Sequence, residues 1–162
     1  MTARKLFLTL TLTALAAPGA FAQFCDTIDQ RDADAMLGGR AIPLSVGALG
    51  CSYSVREKGV RLTLTLSDEG ANAKNVFDRL RQTTKSAGWL TSDEPGIGNA
   101  AYGELIKRSG PSSAGKCGFV VLKGSKLIQF YVSDSAGRAD IAGRRETLDK
   151  LRPIAKRVID RL

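Results

Sequence analysis

Between Val60 and Leu66 the chain places Val60, Leu62, Leu64 and Leu66 at every second position, with Arg61, Thr63 and Thr65 between them. A period of two describes a strand with one apolar and one wetted face, the pattern typical of antiparallel sheets. The flanks extend the pattern. Cys51-Ser-Tyr53-Ser-Val55 alternates small polar with large apolar groups, and Arg56 to Gly59 reads as the turn between the two strands. Upstream, Pro43 within Ala41 to Val46 predicts an edge strand or irregular chain, because proline cannot donate to a ladder.

Helical periods surround this sheet. Asp29 is placed to cap a short helix over Gln30 to Leu37, with Asp32 in its first turn and Gly38-Gly39 at its end. Asp68 is placed to cap a second helix, Ala71 to Ala87. Its apolar face carries Ala73, Val76, Phe77, Leu80 and Thr84, and its polar face Lys74, Asp78, Arg81 and Lys85. Gly88 stops it, and Trp89-Leu90 is expected to pack back on the sheet. A loop from Asp93 to Tyr102 then leads into a strand over Ala101 to Lys107, and Ser109 to Gly115 is a second loop. Lys116 to Lys123 and Lys126 to Ser133 form a hairpin closed by the two-residue turn Gly124-Ser125. A long helix over Ile141 to Arg161 follows, with Leu148, Leu151, Ala155, Val158, Ile159 and Leu162 as its stripe. Pro153 is expected to bend or divide it. The order α-ββ-α-βββ-α predicts an α+β fold, a twisted antiparallel sheet flanked by helices.

The N-terminus carries an address. Arg4 and Lys5 precede an uncharged run from Leu6 to Ala17, Pro18-Gly19 break it, and Ala20-Phe21-Ala22 is a small-x-small cleavage site. This is the pattern of a cleaved secretory signal peptide over residues 1–22, leaving one α+β domain over 23–162 that is periplasmic or secreted. The apolar run is short for a transmembrane helix, which takes about 20 residues. Cys25 is set aside as a lipid anchor because Gln23 and Phe24 separate it from the cleavage site. Loss of Arg4 and Lys5, with no acid lost, lowers the formal charge from +8 to +6. Outside the cytosol a basic surface meets lipid head groups and cell-wall polyanions rather than nucleic acid.

Cys25, Cys51 and Cys117 remain after cleavage, so an oxidising compartment predicts one disulfide and one leftover thiol. A Cys25–Cys51 bridge would pin the first helix to the sheet and contribute roughly 3–4 kcal/mol in the chain-entropy description. Cys51–Cys117 across strands is the alternative.

The chain contains no histidine, which removes the Ser-His-Asp and Cys-His arrangements and the commonest zinc ligand. Ser45, Ser52, Ser54, Ser112 and Ser113, with Glu94 and Glu104, form no recognisable nucleophile–base pair. Gly110-Pro-Ser-Ser-Ala-Gly115-Lys116-Cys117 approaches a P-loop, but Cys117 stands where Ser or Thr would hold magnesium, and Gly118 to Leu122 reads as a strand rather than a helix. Asp26, Asp29, Asp32 and Asp34 cluster without calcium-loop spacing, and acids at a helix start have a structural reason. No enzyme, metal or cofactor is expected. Tyr53, Trp89, Tyr102, Phe119, Phe130 and Tyr131 are assigned to packing.

Three short motifs carry a family likeness: Cys25-Asp-Thr-Ile with Ala35-Met-Leu-Gly-Gly39, Gly50-Cys51-Ser-Tyr53, and Pro95-Gly96-Ile-Gly98-Asn-Ala-Ala-Tyr102. In these the chain resembles small bacterial envelope proteins of the DUF3558-like kind, within the Mog1/PsbP-like α/β sandwiches. The resemblance implies a twisted antiparallel sheet, a Cys25–Cys51 bridge and no activity; the missing lipidation site and the additional Cys117 depart from it. The resulting expectation is a non-catalytic exported binding or accessory domain, its partner a protein or an anionic envelope polymer. The loop bearing Pro95, Gly96, Gly98 and Tyr102 is the candidate for partner contact. The alternatives are an inhibitor or immunity-type protein, a His-free envelope hydrolase, or a lipid or small-molecule carrier.

Overall fold

The alternation at Val60 to Leu66 belongs to an interior strand of the sheet, one place from its centre. The structure, a computed structural model, describes residues 22–47, 50–106, 115–134 and 141–162. Its strands are β1 (Ile42–Gly47), β2 (Gly50–Val55), β3 (Val60–Asp68), β4 (Leu90–Asp93), β5 (Ala100–Ile106), β6 (Gly115–Lys123) and β7 (Lys126–Asp134). They form one antiparallel sheet in the order β1-β2-β3-β7-β6-β5-β4. The helices are α1 (Ala22–Asp26), α2 (Gln30–Leu37), α3 (Ala73–Ser86) and α4 (Ile141–Arg161). The fold is therefore α+β, as the sequence order predicts. Residues 1–21, with the signal-type pattern, and Gly110 to Ala114, with Ser112 and Ser113, lie outside the described residues.

Register sorts the side chains between two faces. The inner face carries Cys51, Tyr53 and Val55, then Leu62, Leu64 and Leu66, and across the centre Ile128, Phe130, Val132, Cys117, Phe119 and Val121. Helices α1, α2 and α4 close over it, bringing Phe24, Ile28, Met36, Leu37, Leu148, Leu151 and Val158 into one core. Among the described residues the outer face is covered only in part. Helix α3 lays Ala73 and Phe77 on Tyr102, Val120, Leu122 and Leu127, and the Phe77 and Tyr102 rings meet edge to face at 5.3 Å.

Several local expectations change. Leu90–Asp93 forms a fourth strand in the second run, and Leu90 is 39% exposed on that edge instead of packing on the sheet. The second helix starts at Ala73, after a 3-10 turn over Gly70–Asn72; the Asp68 carboxylate accepts the Gly70 amide at the entry to that turn. Pro153 does not divide α4, whose apolar stripe also contains Ile154. Pro43 does sit in an edge strand, beside a register shift between Pro43 and Ser45. A five-residue helix, α1, carries Cys25.

Candidate functional site

The acids clustered around α2 are occupied in folding. Asp29 accepts the Asp32 amide at 2.8 Å as the cap of α2. Asp32 pairs with Arg157 of α4. Asp34 accepts from the Ala41 amide and from Gln30 Nε2, each at 2.7 Å, and these bonds hold its carboxyl below the usual range. Among the described residues no three of His, Cys, Asp and Glu come together. Gly115-Lys116-Cys117 opens strand β6, so the end of the near-P-loop leads into a sheet and offers no helix N-terminus to phosphate.

Glu94 follows β4 and is buried. Arg152 of α4 holds it through Nε at 2.7 Å and Nη2 at 3.3 Å, and Ser92 donates to it at 2.9 Å. Gly103 makes this possible, since a Cβ there would lie 2.9 Å from Glu94 Oε1 and 2.8 Å from Leu148 Cδ2. Arg152 also binds Asp149, and the two carboxylates raise its pKa further. A cleft of about 570 Å³ between β4 and α4 is lined by Leu90, Leu105 and Leu148, but Glu94, Asp149 and Arg152 on its wall already bind one another.

The loop proposed for partner contact divides. Pro95, Gly96 and Gly98 are exposed, whereas Tyr102 is fully buried against Phe77, with burial lifting its hydroxyl to about 12. Tyr102 therefore supports the loop from beneath and reaches no partner. Ile97 is buried, and Asn99 ties the loop to the β6–β7 turn by accepting the Gly124 amide at 2.6 Å.

The three cysteines are thiols. Those of Cys25 and Cys51 are hydrogen-bonded neighbours, and burial, followed by the contact with Cys25, pushes the Cys51 thiol up. Cys117 is three strands from Cys51 in the sheet order, about 14 Å at the usual strand spacing, far beyond disulfide reach. The Cys51–Cys117 alternative is thereby excluded. Burial lifts the Cys117 thiol to about 12 despite the opposing charge of Arg144.

The remaining polar surface is the part of the outer face that α3 leaves open. Three transverse rows cross it. Ser54, Arg61, Ser133 and Lys116 form one row, from β2 to β6. Ser52, Thr63 and Tyr131 form the next, running on to Gly118 and Glu104. Thr65 and Gln129 continue the third. Arg61 and Thr65 are exposed, and Arg56 projects from the β2–β3 turn beside them. Among the described residues neither Arg56 nor Arg61 makes an ion pair. Lys116 Nζ lies 3.9 Å from the centre of the Tyr131 ring, a cation–π contact.

Glu104, where the middle row reaches β5, is sealed under α3 at 2% exposure. Thr84 Oγ1 lies 3.0 Å from Glu104 Oε2, and the Tyr131 hydroxyl donates to the same carboxylate. Burial first, then the Glu104 charge and this bond, push the Tyr131 hydroxyl far above its ordinary range. Gly118 creates the passage, because a Cβ there would stand 1.9 Å from the Phe130 carbonyl oxygen and 2.5 Å from Tyr131 Cδ1. The surface is thus rich in hydroxyls and cations, with its carboxylate turned away from solvent. Arg61, Thr63 and Thr65 are the wet half of the β3 alternation, but only the pairing of β3 with β7 joins them to Ser133 and Lys116.

No protein-family model matches the chain, and no curated protein matches it.

Proposed function

We propose that the chain is an exported, non-catalytic binding domain whose partner is an anionic polymer of the cell envelope, held on the open half of the outer sheet face. The observation that carries this reading is a pair of cations, Arg56 and Arg61, without ion pairs among the described residues, on a hydroxyl-rich sheet surface where the carboxylate of Glu104 is buried. Guanidinium groups bind carboxylate and phosphate in forked pairs, and Ser and Thr hydroxyls donate to the same oxygens. The signal-type N-terminus and the formal charge of +6 left once Arg4 and Lys5 are removed from the +8 of the full chain support the same partner class. So does the likeness to small envelope proteins.

The test is a salt-titrated binding measurement on residues 23–162 with an anionic envelope polysaccharide and with neutral dextran. Binding to the anionic polymer alone, weakening as salt rises and lost in the Arg56→Glu/Arg61→Glu double variant, is the expected result. Equal binding of wild type and variant refutes the assignment to this face. No binding at all refutes the partner class.

In an oxidising compartment Cys25 and Cys51 form the bridge, passing two electrons and two protons to a disulfide donor by thiol exchange. A fall in Tm on adding reductant, unchanged in Cys117→Ser and abolished in Cys25→Ser, checks the pairing.

A further inference from the structure

The open face is not uniform. At the end nearest the β2–β3 turn it sinks into a hollow of about 360 Å³, lined by Ser54, Arg56, Arg61 and Ser133 with Val55, Gly59 and Val60. We infer that this hollow is a phosphate-ester site, which seats one phosphorylated sugar unit of the polymer between Arg56 and Arg61. The inference rests on the polymer-binding reading and specifies the group recognised.

The local fold explains why these four side chains converge. Arg61 stands between Ser54 on β2 and Ser133 on β7 in a single row, so a serine flanks it on either side at about one strand spacing. The chain leaves β2 through a 3-10 turn over Arg56–Lys58 and returns at Gly59, whose left-handed φ of 63° closes the turn. That tight return brings Arg56, five residues before Arg61, back to the rim of the same hollow.

Donor arithmetic selects phosphate over carboxylate. Two guanidinium groups offer about ten N–H donors and the two serines add two O–H donors. A carboxylate presents only two oxygens, whereas a phosphate presents more and carries more charge. The nearby acids do not neutralise the hollow. Glu57 is exposed in the turn and is absent from the lining, and Asp134 faces the opposite side of β7, where it lines a separate hollow with Arg144 and Lys150. The volume reaches the lower range of small-ligand pockets, room for a sugar as well as its phosphate.

The probe is glucose 1-phosphate, with inorganic phosphate, glucuronate and glucose as comparisons, titrated into isotopically labelled residues 23–162 and followed by NMR. Glucose 1-phosphate should shift the amides of Ser54, Arg61 and Ser133 and the Arg56 and Arg61 side chains. Glucuronate should bind about tenfold more weakly and glucose not at all. Ser54→Ala and Ser133→Ala should each weaken the sugar phosphate by about tenfold, the loss of one hydrogen bond to a charged group. Both are small surface changes, and unaltered Tm confirms that each variant folds. Polymer binding with no sugar-phosphate shift at these residues overturns the phosphate-ester inference and leaves the polymer reading standing. Equal response to glucuronate also overturns it. Loss of both polymer and sugar-phosphate binding overturns both. Phosphatidylglycerol vesicles distinguish a lipid source: vesicle binding that exceeds binding to a phosphate-bearing polysaccharide overturns the assignment to a sugar unit.

Discussion

The two halves of the outer sheet face belong to one continuous antiparallel sheet, yet they are finished in opposite ways. Over β4, β5 and β6 the outward residues include Ala100, Tyr102, Val120 and Leu122, and α3 covers them. Over β2 and β3 they are Ser52, which is buried, and Ser54, Arg61, Thr63 and Thr65, which the described helices leave open. Strand β7 contributes to both, with Leu127 under the helix and Gln129 and Ser133 outside it. Tyr131 stands at the border, its ring over Gly118 and its hydroxyl on the buried Glu104. The inner face alone supplies the main core, which frees the outer face of β2 and β3 from packing. What differs between the halves is the work assigned to the outward side chains: stability on one and, in the proposed function, recognition on the other.

The comparison breaks most visibly on the covered half. Phe77→Ala removes the ring that seats α3 on Tyr102 and should cost about 3–5 kcal/mol in denaturant unfolding. A loss under 1 kcal/mol would show that α3 is not held by this contact. Glu104→Ala leaves the Thr84 and Tyr131 hydroxyls without their shared acceptor beneath the helix, and should cost about 1–3 kcal/mol. Glu104→Gln, which keeps an acceptor, should lose less.

On the open half Thr65→Ala should change stability by no more than about 0.5 kcal/mol. A cost like that of Phe77→Ala would mean that this face belongs to the core after all.

The smallest effect concerns the join, where β3 passes into the turn before α3. Asp68 there accepts from the Ser125 hydroxyl and the Gly70 amide, which hold its carboxyl below its ordinary value of 3.8. A depressed folded pKa means that the stabilisation is complete above the unfolded value and is lost as pH falls through the folded one. The Tm difference between wild type and Asp68→Asn should therefore be present at pH 7 and shrink below pH 4. A difference that grows on acidification would contradict the assignment.

How much of this was legible depends on how each signal is written. The β3 alternation, the hairpin across Gly124-Ser125 and the amphipathic α3 are local, and they read directly. Strand β4 is four residues, Leu-Thr-Ser-Asp, too short for a period and placed by its pairing with β5. Strand β5 hid Glu104 because both of its faces are buried, which erases the alternation that would mark a wet side. The open face was visible only as the polar half of β3. Its partners Ser133 and Lys116 lie more than fifty residues downstream, and no local pattern announces a pairing at that distance. The cysteines show the same limit: their spacing left two pairings open, and strand order removed one.

The contact of β3 with β7, together with the bonds from Arg157 to Asp32 and from Arg161 to the Thr27 carbonyl, also sets a timetable. A chain that emerges N-terminus first, from a ribosome or through a membrane pore, can form the β2–β3 hairpin early. It cannot complete the sheet until β7 is out, nor close the inner core until α4 is out. Folds dominated by such distant pairings form slowly, because the loops must close before the contacts reward them. If the chain is exported as proposed, that delay is useful, because the segment that passes through the membrane first is the one that waits longest to become rigid.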